Sequence, residues 1–166
     1  MVDENPQTPA IAMTLVSSSP EETRQIASSL GALCGGGETF LLFGDLGAGK
    51  TCFVQGLAAG LEVDSATRVT SPTFTIHAEY QGHLVLNHLD LYRLDEPASL
   101  DGLGIGDMLA DAGAVTAVEW PEMLADGVGG ERLEIRLSDL GEGKRRMDLA
   151  AFGKRHTRLL SVTARI

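Results

Sequence analysis

The chain has 166 residues, 43% of them hydrophobic and 22% charged, with a formal net charge of −10. That is the size and composition of one soluble globular domain with bulk enough for a real core. No apolar run approaches the roughly 20 residues needed to span a bilayer, and so acidic a body argues against gripping nucleic acid across its own surface.

Residues 1–10 read as a disordered N-terminus, polar and interrupted by Pro6 and Pro9, and residues 11–166 as a single domain. The start has no basic segment followed by an apolar core, so it is not a secretory signal. Residues 11–17 form a short predicted strand. Ser19-Pro20-Glu21-Glu22 then opens a helix with a serine cap, a proline in the first turn and acids against the dipole. Thr23, Ile26, Ala27, Leu30 and Leu33 are its expected buried stripe, and Gly35-Gly36-Gly37 ends it. Residues 38–43 are an apolar run of strand length, and residues 51–61 place Phe53, Val54, Leu57 and Leu61 at helical spacing.

After a polar connection over 64–71, residues 74–80 and 84–89 read as a hairpin around Gln81-Gly82-His83. A hairpin is not the crossover step of a doubly wound sheet, so the fold expected is α/β with a mixed parallel and antiparallel sheet flanked by helices. A helix over 97–109 is interrupted by Gly102, Gly104 and Gly106. Residues 114–118 form a buried strand ending at Glu119-Trp120-Pro121-Glu122, and 131–137 with 145–152 make a second hairpin. From Lys144 onward seven Lys or Arg face Asp148 alone, a local +6 that leaves −16 for the rest. This basic stretch is open to two readings: a solvated strand face with an exposed terminal helix, or a surface for a phosphate backbone or an acidic partner.

The two cysteines, Cys34 and Cys52, read as reduced thiols, which suits a cytosolic protein, and neither has a metal-ligand partner at zinc spacing.

The motif that carries chemistry is Gly44-Asp45-Leu46-Gly47-Ala48-Gly49-Lys50-Thr51, which fits G-x-x-x-x-G-K-[ST]. A nucleoside triphosphate concentrates negative charge. Glycines let successive backbone N–H groups turn toward those oxygens, a lysine reaches the β- and γ-phosphates, a hydroxyl ligates Mg²⁺, and the following helix adds its positive end. The order strand, glycine loop, helix is what that mechanism demands, so the domain reads as P-loop NTPase-like. Such a site also needs an acid at the end of a neighbouring buried strand. Asp90 ends 84–90, and Glu119 ends 115–119. One carboxylate would hold the ion while the other orients the attacking water.

Other candidates are weaker. Asn87-His88-Leu89-Asp90 lacks the lysine of a guanine-reading N-K-x-D motif, so adenine is expected. Thr73, in Ser71-Pro72-Thr73-Phe74, can offer a group to the γ-phosphate or be a turn residue. Trp120 is either a core plug or an aromatic wall beside the nucleotide, and Arg93 either contacts phosphate or pairs with Asp95. His77, His83 and His88 show no ligand spacing and are expected in structural or exposed places.

The glycine loop, Ser71-Pro72-Thr73-Phe74, His88-Leu89-Asp90-Leu91-Tyr92-Arg93-Leu94 and Glu119-Trp120-Pro121-Glu122, in that order, strongly resemble the TsaE family. The likeness covers about residues 15–137. It implies a small ATPase of tRNA threonylcarbamoyladenosine (t6A) biosynthesis that acts with TsaD, which modifies adenosine 37, and with TsaB. ATP and Mg²⁺ are the implied cofactors, and tRNA is engaged indirectly through the complex. On matching positions Asp45, Leu46, Gly47, Ala48, Gly49, Lys50, Thr51, Cys52, Thr73 and Trp120 would contact nucleotide. Thr51 and Glu119 would hold Mg²⁺, with Asp90, Glu119 and Lys50 catalytic. Cys52 stands where the family often has a second threonine. The alternative is a small-molecule kinase, but 94–131 contains no Lys or Arg to build a phosphate-covering lid.

Overall fold

Alternating and continuous apolar runs, punctuated by glycine, set the elements of the computed structural model, which describes residues 7–125 and 127–164. In chain order these are β1 (Ile11–Ser17), α1 (Pro20–Leu33), β2 (Thr39–Phe43), α2 (Lys50–Gly60), β3 (His77–Gln81) and β4 (Val85–Asp90). There follow α3 (Ile105–Ala110), β5 (Ala114–Glu119), β6 (Arg132–Gly141), β7 (Lys144–Phe152) and α4 (Lys154–Thr163). The disorder expected over 1–10 lies outside the described residues for 1–6. Residues 7–10 lead into β1, with Ala10 N–H donating to Ala151 O at 2.8 Å.

One seven-stranded sheet joins all the strands in the order β1-β7-β6-β2-β5-β4-β3. Central β2 runs parallel to β5 and β6, and β5 runs parallel to β4. The short turns at Gly82 and Glu142 fold β3 and β7 back antiparallel to β4 and β6, and β1 completes that edge against β7. The chain is a single α/β domain with a mixed sheet and helices on both faces. Pleating divides the sheet's side chains between two cores. Phe40 and Leu42 of β2 join the core under α1, α2 and α4, while Leu41 joins Leu89, Val118 and Ile105 of α3 on the other face. Among the described residues no helix is long and apolar enough to cross a membrane.

Helix α1 begins as expected, with Glu22 N–H donating to Ser19 Oγ at 3.2 Å. Its buried residues are Thr23, Ala27, Leu30 and Gly31, while Leu33 is 41% exposed. Leu33 overhangs because the chain turns extended at Cys34. Gly31 is buried because α2 crosses so close: a methyl group there would sit 2.6 Å from Leu57 O, and one on Gly60 only 2.1 Å from Ser28 O.

The strand expected from residue 74 starts at His77 instead. Ile76 takes φ 67° and donates to Pro72 O at 2.6 Å, closing a turn that leaves Phe74 outside the sheet. The helix expected over 97–109 splits into a single 3₁₀ turn (Asp101–Leu103) and short α3, divided at Gly104 with φ 67°. The terminal helix α4 is exposed on one face only. Its His156, Leu159 and Leu160 are buried.

Candidate functional site

Strand β2 delivers the chain at the carboxyl edge of the parallel strands into the Gly44–Thr51 loop. Gly49 caps α2 with φ 105°, a conformation that strains any residue with a Cβ. Asp45, Leu46 and Gly47 are exposed, while Ala48 is buried and its N–H closes the loop on Asp45 O at 3.0 Å. The first N–H groups of α2 have no preceding helical carbonyl to bond and lie at the positive end of the helix. Lys50, 5% exposed, folds back beneath the loop. Its Nζ donates to Gly44 O at 2.5 Å and Asp45 O at 2.9 Å and stands 4.1 Å from the Trp120 ring centroid. Burial pushes the ammonium pKa down, and Glu119, Glu122, Asp90 and Asp45 oppose that shift.

The acids come from β4 and β5. Residues 86, 88 and 90 of one and 115, 117 and 119 of the other share the sheet face beneath α2, because side chains alternate along a strand. Asp90 and Glu119 are register partners at the two strand ends, and each is 3% exposed. Glu119 Oε1 accepts the Thr51 hydroxyl at 2.9 Å and lies 2.8 Å from Nε2 of wholly buried His88. An ionised carboxylate only accepts, so the His88 Nε2 carries the hydrogen. Asp90 Oδ2 accepts from the Ser71 hydroxyl and from Thr73 Oγ1 (3.1 Å), and Oδ1 accepts from Tyr92 N–H at 2.9 Å. The Ser71 and Thr73 hydroxyls stand 2.8 Å apart, and with both hydrogens given to Asp90 neither donates to the other. Three donors therefore hold Asp90, and two hold Glu119.

Lys50, Thr51, Asp90, Glu119 and the Ser71 and Thr73 hydroxyls line one cleft of about 280 Å³, together with Leu46, Gly47, Gly49, Cys52, Tyr92 and Trp120, and His88 lies behind it. Trp120 lines the cleft and also packs against the core on the α3 side. It adopts φ 59°, and its ring lies 4.9 Å from that of Tyr92. Asp45 and Ala48 belong to the loop but do not line the cleft, and Leu46 stands 73% exposed at the rim. Cys52 leans toward α1, donating to Pro20 O at 3.4 Å and accepting from Arg24 at 3.6 Å, and its burial raises the thiol pKa. Arg93 lies over the exposed Phe74 ring, 4.0 Å from its centroid, instead of pairing with Asp95.

Two residues meet the site through contacts that no motif marks. His88, expected in a structural or exposed place, is buried against Glu119, and the H-x-D spacing on one strand is the signal that could have found it. Arg145 reaches Gly47 O at 3.4 Å while Asp139 holds its other nitrogen at 2.7 Å, so the basic hairpin end braces the loop. No local pattern marks that contact, which spans 98 positions.

Fold and loop together define the class: an α/β protein with a G-x-x-x-x-G-K-T loop between its central strand and a helix, faced by two strand-end carboxylates. The family model for threonylcarbamoyl adenosine biosynthesis protein TsaE matches residues 17–147. The TsaE protein of Bacillus subtilis is 38% identical over 147 residues, 88% of this chain and 90% of that protein. The Treponema pallidum TsaE is 38% identical over 138 residues, 83% of this chain and all of the relative. The crystal structure of Bacillus subtilis YdiB superposes with a TM-score of 0.74 at 35% identity, covering 93% of this chain and 95% of the other. The chain belongs to the TsaE family, which serves tRNA threonylcarbamoyladenosine biosynthesis.

Proposed function

We propose that this protein is a Mg²⁺-dependent ATPase acting in the t6A modification of tRNA, in the cytoplasm, with TsaD and TsaB homologues. One observation carries the reading: the Gly44–Thr51 loop and two buried carboxylates from adjacent parallel strands meet in a single cleft. On this reading the N–H groups of Gly47, Gly49 and Lys50 cradle the β- and γ-phosphates at the positive end of α2, and the Lys50 ammonium adds a full charge there. Asp90, its carboxylate held by Ser71, Thr73 and the Tyr92 N–H, orients the attacking water and accepts its proton. A preorganised acceptor reorients little during reaction.

Thr51 and Glu119 are the residues that would hold Mg²⁺, and their all-oxygen donor set fits a hard cation. Among the described residues no group of three or more His, Cys, Asp or Glu could hold a metal ion. That suits Mg²⁺, which commonly takes one or two protein oxygens and fills its shell with phosphate and water. When bound, the ion would neutralise charge on the β- and γ-phosphate oxygens. Residues 94–131 contain no Lys or Arg from which to build a kinase-type lid, which favours water as the acceptor. The acidic body supports an indirect role toward tRNA, with the partners carrying the nucleic acid.

Phosphate release from ATP, measured with the protein alone and with TsaB and TsaD added, tests this. Stimulation by the partners is expected. Absence of hydrolysis in both states, with no heat on titration by Mg·ATP, overturns it, and phosphate appearing on a metabolite would turn the reading to a kinase.

A further inference from the structure

We propose that His88 is a positioning residue for the metal-binding pair: it holds Glu119 in the orientation that accepts the Thr51 hydroxyl hydrogen bond. The inference rests on the reading of Thr51 and Glu119 as Mg²⁺ ligands. His88 is fully buried, and its Nε2–H meets Glu119 Oε1 at 2.8 Å from the β4 side. Thr51 Oγ1 meets the same oxygen at 2.9 Å from the α2 side. The carboxylate is thus clamped between a strand and a helix by two donors on one atom. With its proton committed to Glu119, the Thr51 oxygen keeps its lone pairs for the cleft that it lines. That is the state a hard cation requires of a hydroxyl ligand.

The other ring nitrogen adds no second bond. His88 Nδ1 is buried without a hydrogen-bond partner among the described residues. On this face Leu86 and Ala117, apolar and fully buried, flank the ring on one side and Asp90 and Glu119 on the other. The imidazole makes one hydrogen bond, to Glu119, so that bond is its whole polar contact with the protein.

Calorimetric titration of the full chain with ADP, in Mg²⁺ and in EDTA, separates positioning from packing. For His88→Leu the enhancement of ADP affinity by Mg²⁺ should fall about tenfold, while metal-free affinity stays within about twofold of wild type. His88→Gln, whose amide N–H replaces Nε2–H at similar reach, should restore the enhancement. His88→Asn, too short to reach Glu119, should not, and this polar pair gives the same reading should the leucine variant not fold. Wild-type enhancement in His88→Leu or His88→Asn overturns the proposal. So does a glutamine variant no better than asparagine, or equal loss of affinity with and without metal. A wild-type protein whose ADP binding ignores Mg²⁺ overturns the metal-site reading itself, and this inference with it.

Discussion

Two histidines are wholly buried, one on each side of central β2, and they use the same ring nitrogen in opposite ways. In the parallel half, His88 Nε2–H donates to a carboxylate at the cleft. In the antiparallel half, His156 Nε2 accepts the Thr39 N–H at 2.9 Å, tying α4 to the first residue of β2. Each leaves Nδ1 unmatched. The donor stands among acids and hydroxyls that line an opening. The acceptor stands in an apolar core whose burial pushes its pKa down to about 4. Burial of a polar ring therefore does not by itself mark function; what the ring is bonded to does.

The sharpest way to break that contrast is to remove a charge at the cleft. Lys50→Ala should weaken ATP binding about a thousandfold, about 4 kcal/mol, with the melting temperature nearly unchanged, as calorimetry and thermal unfolding would read. Wild-type affinity would end the claim that the cleft is the nucleotide site.

The antiparallel half predicts an acid response. The folded His156 ring is neutral, and its pKa of about 4 lies below the 6.5 of the unfolded chain. Between those values the unfolded state holds a proton that the folded state does not, so acid favours unfolding. The contribution is complete above pH 6.5 and lost as pH falls toward 4, at most about 3 kcal/mol. His156→Gln, which can still accept from Thr39, should flatten that part of the curve of unfolding free energy against pH. Parallel curves would mean that His156 does not titrate as argued.

At the α1–α2 crossing, Gly60→Ala should destabilise by about 2 kcal/mol in urea unfolding, despite alanine's better helix propensity. The new methyl group would meet the Ser28 carbonyl, a backbone atom that cannot swing away. A gain in stability would show that the helices separate freely.

Smaller still, Asp90→Asn and Glu119→Gln should each cut partner-stimulated turnover at least tenfold, about 1.4 kcal/mol, while unfolding as wild type does. Unchanged turnover in both would take the strand-end acids out of the chemistry.

Much of the site was legible because its parts are local or lie at element ends. The glycine loop is contiguous, and Asp90 and Glu119 announce themselves as charges closing apolar strands. His88 was not legible in the same way. A histidine inside a strand bonds whatever the neighbouring strand presents, and only the β4–β5 register puts Glu119 there. Phe74 misled because an aromatic beside β-formers reads as strand, whereas the turn at Ile76 frees its ring to lie under Arg93.

By itself the sequence determined the element order, the mixed sheet, the loop and the two acids, since these follow from periodicity, glycine and charge placed next to one another along the chain. Tertiary structure alone decided which donor meets which carboxylate, that Arg145 braces Gly47, and that Gly31 rather than Leu33 is buried. Those outcomes depend on which strands pair and how closely two helices cross, and contacts between distant segments leave no period in the chain to be read.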